Sequence, residues 1–203
     1  MNARSVILFC VLLFIQNTII SQTEIDHWEA IVLDGSVWSY LVPNSQPDAS
    51  WIQPDYDDSF WPEGASGFGY GDGDDETIID QTMSVFIRHQ FEIDDLSVID
   101  SALFYMDYDD GFIAYLNGVE IARGNAGDAG EFIAWNQNLE TDHEAQLYTG
   151  GTPAEYFFDY ENLLWQGTNT IAIEIHNVNA TSSDLTARPF MMAGSYIEEY
   201  TYN

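Results

Sequence analysis

Ser84 to Ile93 alternate without interruption: Val85, Ile87, His89, Phe91 and Ile93 fall on one face of an extended chain, and Phe86, Arg88, Gln90 and Glu92 on the other. Successive side chains of a strand point to opposite faces, so a period of two held over this length fits a sheet and not a helix. Asn169 to His176 repeats the pattern, with Ile171, Ile173 and Ile175 opposing Thr170, Ala172, Glu174 and His176. Between them, Asn117-Gly118 separates the runs Phe112 to Leu116 and Val119 to Ala122. That pair supplies the two positive φ angles of a tight turn and predicts a hairpin. Ser101 to Met106 and Arg188 to Ala193 read as further strands, and Val37 to Val42 opens the sheet. Gly64 to Glu76 reads as the longest loop, and Ala154 to Trp165 as a short helix or irregular turn. So many short strands and so little helix predict an all-β fold, an antiparallel two-sheet β-sandwich.

The chain starts as an exported protein does. Arg4 precedes an unbroken apolar run, Val6 to Ile15, and Ser21 is a small residue suited to cleavage. Residues 1–21 are therefore expected to be a signal peptide and 22–203 a single β-sandwich domain, placing the protein outside the cell. The run is too short for a membrane span, which needs roughly 20 apolar residues. Cys10, the single cysteine, lies inside it rather than after a cleavage site, which argues against a lipid anchor. Cleavage leaves no thiol, so disulfides, thiolate catalysis and cysteine-bound zinc are excluded.

The chain has 34 acidic residues against 4 basic ones, all arginine, for a net charge of −30. Such a surface repels nucleic acid and anionic membranes. The excess suits a solvated surface in salty surroundings, and part of it also suits calcium, a hard cation that takes oxygen ligands from clustered carboxylates.

An ordered set of short motifs carries a resemblance. Trp51, Pro54-Asp55-Tyr56-Asp57-Asp58-Ser59-Phe60-Trp61, Gly67-Phe68-Gly69-Tyr70-Gly71-Asp72 and Phe86-Ile87-Arg88 are followed by Asp109-Asp110-Gly111 and Tyr115-Leu116-Asn117-Gly118. Gly167 to Ala172, His176-Asn177 and Ser182-Ser183-Asp184 complete it. The series resembles galactose-binding-like jelly-roll modules, such as the sugar-binding domain of β-galactosidases and the accessory modules of secreted bacterial surface proteins. The likeness covers nearly all of the mature chain. It implies a jelly roll and a recognition role, although this fold serves lectin-like, adhesive and spacer modules alike.

Three clusters could carry chemistry. Asp107, Asp109 and Asp110 crowd where a strand ends and the hairpin begins, a setting for a cation or, equally, for a turn capped by carboxylates. The Asp109-Asp110 pair also resembles the calcium-bridging aspartates of protective-antigen-type lectin domains. Asp72 and Asp74, in an acidic Gly-containing loop, form a second candidate calcium site, without the spacing of a helix-loop-helix site. His176, Asn177 and Asp184 form the third, which the family pattern puts at the same rim as Asp109 and Asp110. Arg88 is either a ligand donor or one half of a salt bridge. Of the tryptophans, Trp51 and Trp61 suit packing, and Trp135, in a loop-rich stretch, suits an exposed platform for a sugar ring.

No nucleophile elbow, His-Glu-x-x-His helix or phosphate loop is present, and the four histidines are scattered. The expectation is a non-catalytic extracellular module that binds a glycan or cell-surface polysaccharide weakly, with calcium as the candidate cofactor. The alternative is a structural or adhesion module of a cell-surface protein that binds no glycan.

Overall fold

The alternating segments become the longest strands of a two-sheet sandwich, in a computed structural model that describes residues 25–196. The expected signal peptide and Cys10 lie outside the described residues. The strands in chain order are β1 (His27–Val32), β2 (Val37–Leu41), β3 (Glu63–Ala65), β4 (Phe68–Tyr70), β5 (Thr77–Ile78), β6 (Ser84–Ile93), β7 (Ile99–Asp109), β8 (Gly111–Leu116), β9 (Val119–Gly124), β10 (Ala154–Phe157), β11 (Gly167–His176) and β12 (Leu185–Ser195). One helical turn, α1 (Tyr160–Leu163), and three 3-10 turns complete the set. The first sheet runs β10-β7-β12-β4-β5, with β1 paired to the far half of β12; the second runs β3-β2-β6-β11-β8-β9. Every pairing is antiparallel except β4 with β5.

Alternation decides which side chains meet between the sheets. Phe104, Met106 and Tyr108 of β7 and Leu185, Ala187 and Met191 of β12 face Val85, Ile87 and Phe91 of β6, Ile171, Ile173 and Ile175 of β11, and Phe112, Ala114 and Leu116 of β8. Burying each such side chain is worth about 1.5–3 kcal/mol, so one-residue register slips are strongly opposed.

The second sheet is buried on its outer face as well. There Phe86 and Ala172 lie beneath Trp51, Tyr56, Trp61 and Trp135, and Ile113 beneath Ala126, Ile133 and Leu139. Arg88 is 1% exposed; its Nε donates to Asp58 Oδ2 at 2.8 Å, Nη1 donates to the Trp51 carbonyl, and the guanidinium lies 5.2 Å from the centre of the Tyr56 ring. It pins the residue 49–61 cover onto the sheet.

The β8–β9 hairpin turns at Asn117 (φ 50°) and Gly118 (φ 85°), as the Asn-Gly pair predicts. Asn117 also links the turn to its surroundings: Nδ2 donates to the Leu163 carbonyl and to Asn169 Oδ1, while Oδ1 accepts from the Thr170 amide. A β-carbon on Gly118 would lie 2.7 Å from the Gln53 amide group at a φ that side chains rarely adopt. Gly118→Ala is expected to cost about 1 kcal/mol in urea unfolding with no change in m-value.

Val37 to Leu41 opens the second sheet as β2, and β1 before it joins the first. Two expectations are corrected. Gly64 to Glu76 is not a continuous loop: β3 ends and β4 lies within it, strands of three residues too short and glycine-rich to show a period. Ala154 to Trp165 is neither a helix alone nor a turn, since β10 pairs with β7 before α1 begins.

Candidate binding basin on the first sheet

The outer face of the first sheet carries the residues of β7 and β12 that point away from the core. Phe190 pairs with Tyr105, Arg188 with Asp107, and Thr186 with Asp109; Thr186 pairs on its other side with Gly69 of β4. The Tyr105 and Phe190 rings stack at 4.7 Å, and Arg188 makes a two-pronged ion pair with Asp34. Toward the rim the face turns acidic.

The three aspartates that end β7 have separate tasks. Asp107 is 2% exposed, and its two oxygens accept the amides of Gln146 (2.7 Å) and Leu147 (3.0 Å). Asp110, 3% exposed, accepts the amide of His143 on Oδ1 (2.9 Å) and that of Val178 on Oδ2 (2.6 Å). The His143 ring stacks on Tyr108 with centroids 4.0 Å apart. Glu144 therefore sits between two anchored points of one loop, and Asp184 follows a loop whose start is tied to the same Asp110 carboxylate.

Asp109 is left facing the other carboxylates. It is 4% exposed, and one oxygen each from Asp109, Glu144 and Asp184 lie within 4.8 Å of one another. Burial, then the charges of Asp110 and Asp184, push its carboxyl up to about 8. A buried carboxylate among carboxylates calls for either a proton or a cation. Three oxygens at this spacing fit a hard cation with ligands at roughly 2.3–2.6 Å. The peptide between Asp109 and Asp110 is cis.

On the other side of Thr186 stands the second acidic group, Asp72, Asp74 and Asp75, with one oxygen from each again within 4.8 Å of the others. Thr186 Oγ1 donates to Asp72 Oδ2 at 3.3 Å, which joins this loop to β12. Tyr148, 48% exposed, directly follows Leu147, whose amide Asp107 anchors. Its phenol is pushed up by desolvation and then by the charges of Glu144, Asp72, Asp184 and Asp109. These acidic groups and this exposed ring make up the candidate site, the acidic basin.

Among the residues singled out in the sequence, the structure brings Asp109 and Asp184 together, with Asp72 and Asp74 across Thr186. Asp107 and Asp110 stand behind the basin as anchors of its walls. Asn177 is fully buried at the rim; its Nδ2 donates to the Tyr70 hydroxyl and the Thr82 carbonyl, both at 2.8 Å. His176 is fully buried on the outer face of the second sheet, its Nε2 3.1 Å from Glu174 Oε2. Arg88 lies four residues along β6 from the rim, on that same covered face, paired with Asp58. Trp135 is half-buried against the Trp51 cluster rather than standing free. Asp75 belongs to the acidic loop already marked by Asp72 and Asp74, whereas Glu144 and Tyr148 had no motif around them to mark them.

Neither a protein-family model nor a curated protein sequence matches the chain. Solved structures do match by fold. A Bacteroides uniformis β-glucuronidase aligns with TM-score 0.51 at 12% identity over 82% of this chain. A β-glucuronidase from an uncultured Clostridium aligns with TM-score 0.51 at 15% identity over 93% of it. A β-glucuronidase from glycoside hydrolase family 2 aligns with TM-score 0.50 at 15% identity over 82% of it. These likenesses establish the β-sandwich class. The chain spans only 18%, 31% and 17% of those three enzymes, respectively. No helix among the described residues is long and apolar enough to cross a membrane.

Proposed function

We propose that the chain is a non-catalytic, extracellular carbohydrate-recognition module of the galactose-binding-like jelly-roll type, with its ligand seat in the acidic basin of the first sheet. The observation that carries this reading is the convergence of buried Asp109 with Glu144 and Asp184, with the exposed ring of Tyr148 on the same stretch of chain as Glu144. Carboxylates accept hydrogen bonds from sugar hydroxyls, and a flat ring covers the C–H face of a pyranose. A chain that spans a small part of enzymes acting on glycosides fits an accessory domain, and the signal-like start fits export.

The basin's charge selects the ligand class. Uronates and sulfated sugars meet repulsion, whereas neutral glycans offer donors to every carboxylate. A calcium-class cation held by Asp109, Glu144 and Asp184 would relieve the repulsion among them and present open coordination positions to vicinal hydroxyls.

Neutral and acidic oligosaccharide arrays, with calcium and with chelator, test the reading. Neutral glycans are expected to bind weakly and to lose most of their signal in chelator. Tyr148→Ala is expected to weaken binding roughly tenfold while leaving the melting temperature unchanged, since the ring is largely in solvent. Silence toward every polysaccharide in both buffers, or unchanged binding by Tyr148→Ala, overturns the assignment.

A further inference from the structure

We infer that the loop from Gly71 to Glu76 is closed by its own calcium-class cation, held by Asp72, Asp74 and Asp75 and separate from the Asp109 group. This does not depend on the carbohydrate reading. A cluster of acids on a surface loop has no such meaning by itself, because exposed carboxylates are satisfied by water. Asp72 is exposed, but Asp74 and Asp75 are part-buried. Both carboxylate oxygens of Asp75 and Oδ1 of Asp74 are sealed from solvent, and none has a hydrogen-bond partner.

Sealed carboxylate oxygens without a donor are costly, since the lost hydration is replaced by nothing. The packing beneath them removes the simplest remedy. A β-carbon on Gly69 would lie 2.3 Å from Asp75 Oδ1 and 1.9 Å from the Leu185 carbonyl oxygen. The carboxylate and the carbonyl thus both border the space that a side chain at 69 would fill. These two acceptors, with the Asp72 and Asp74 carboxylates close to Asp75, make up an oxygen cage on the bare backbone of β4.

The donor set determines the ion class. All the available atoms are hard oxygens, with neither imidazole nor thiolate among them, which disfavours zinc and copper and suits calcium. Thr186 Oγ1, bonded to Asp72, fixes one side of the cage to β12. Such an ion would act on folding: it would fasten the loop that crosses β4 and its parallel partner β5 onto the sheet.

The test uses the full chain carrying Glu144→Gln and Asp184→Asn, which disables the other acidic group, stripped with chelator and then titrated with calcium chloride by calorimetry. One equivalent of calcium is expected to bind and to raise the melting temperature. Adding Asp75→Asn is expected to weaken that binding at least tenfold, and Asp74→Asn serves as the second variant should the first fail to fold. If the doubly substituted chain takes up no calcium at millimolar concentration, or if it binds equally well with Asp75→Asn and Asp74→Asn, the inference fails and Asp75 is held by a proton. A failure of glycan binding leaves this result untouched.

Discussion

Asp110→Ala should cost the protein about 3 kcal/mol, lowering its melting temperature by roughly 6–12 °C. The residue makes no contact that a sequence reader would rank above those of its neighbours, yet its two oxygens satisfy the amides of His143 and Val178 from loops far apart in the chain. Alanine leaves both donors without their partner at a site that is 3% exposed, and each orphaned amide is worth about 1–3 kcal/mol. Asp110→Asn keeps one acceptor and should lose about half as much. Circular-dichroism melts of both variants check this. A melting temperature within a degree or two of wild type for Asp110→Ala would remove Asp110 from its role as the tie between the basin's walls.

Asp109→Asn should act in the opposite direction and with a pH signature. The folded-state pKa of Asp109, about 8, lies above its ordinary 3.8. Folding therefore takes up a proton, and the stability tied to this group is complete below about pH 4 and is lost as pH rises through 8. In chelator, wild type should melt higher at pH 5 than at pH 9. One pKa unit is worth roughly 1.4 kcal/mol, so even half of the displacement amounts to about 3 kcal/mol across that window. Asparagine has no charge to bury and should flatten the curve, melting above wild type at pH 9. Asp74 and Asp75, raised to about 6 and about 7 chiefly by burial, leave a smaller slope of the same sign in the variant. Saturating calcium should flatten the wild-type curve in the same manner, because an ion replaces the proton. An Asp109→Asn curve parallel to wild type in chelator would assign the pH dependence to the general surface charge.

The sandwich was legible wherever alternation ran long enough to exclude a helix. Ser84 to Ile93 occupies the bounds that its pattern set, and Asn117-Gly118 turns with the two positive φ angles that its chemistry requires. β3 and β4 were not legible, because three residues with a glycine among them show no period and take their register from β2 and β12. The same limit governs the basin. Sequence put Asp107, Asp109 and Asp110 together, but nothing local distinguishes a carboxylate that accepts backbone amides from one that faces other acids. That difference arises from loops some 35 to 70 residues away, so it emerges only after folding. Glu144 and Tyr148 lie in an aperiodic stretch whose course is dictated by Asp107 and Asp110 rather than by its own residues. The aromatic signal was misleading for a related reason: Trp135 was expected to stand free, but the outer face of the second sheet needs a cover, and the tryptophan supplies part of it.

The double anchoring of the wall from His143 to Leu147 separates what must stay constant from what is free to vary. Asp107 and Asp110 grip backbone amides, which every residue but proline possesses, so the course of this wall does not depend on the side chains displayed at Glu144 and Tyr148. Glu144 and Tyr148 can then be exchanged without retuning the frame. A lineage of such modules could change its ligand by drift at these two positions, and a library randomised there would explore new specificities on an unaltered scaffold.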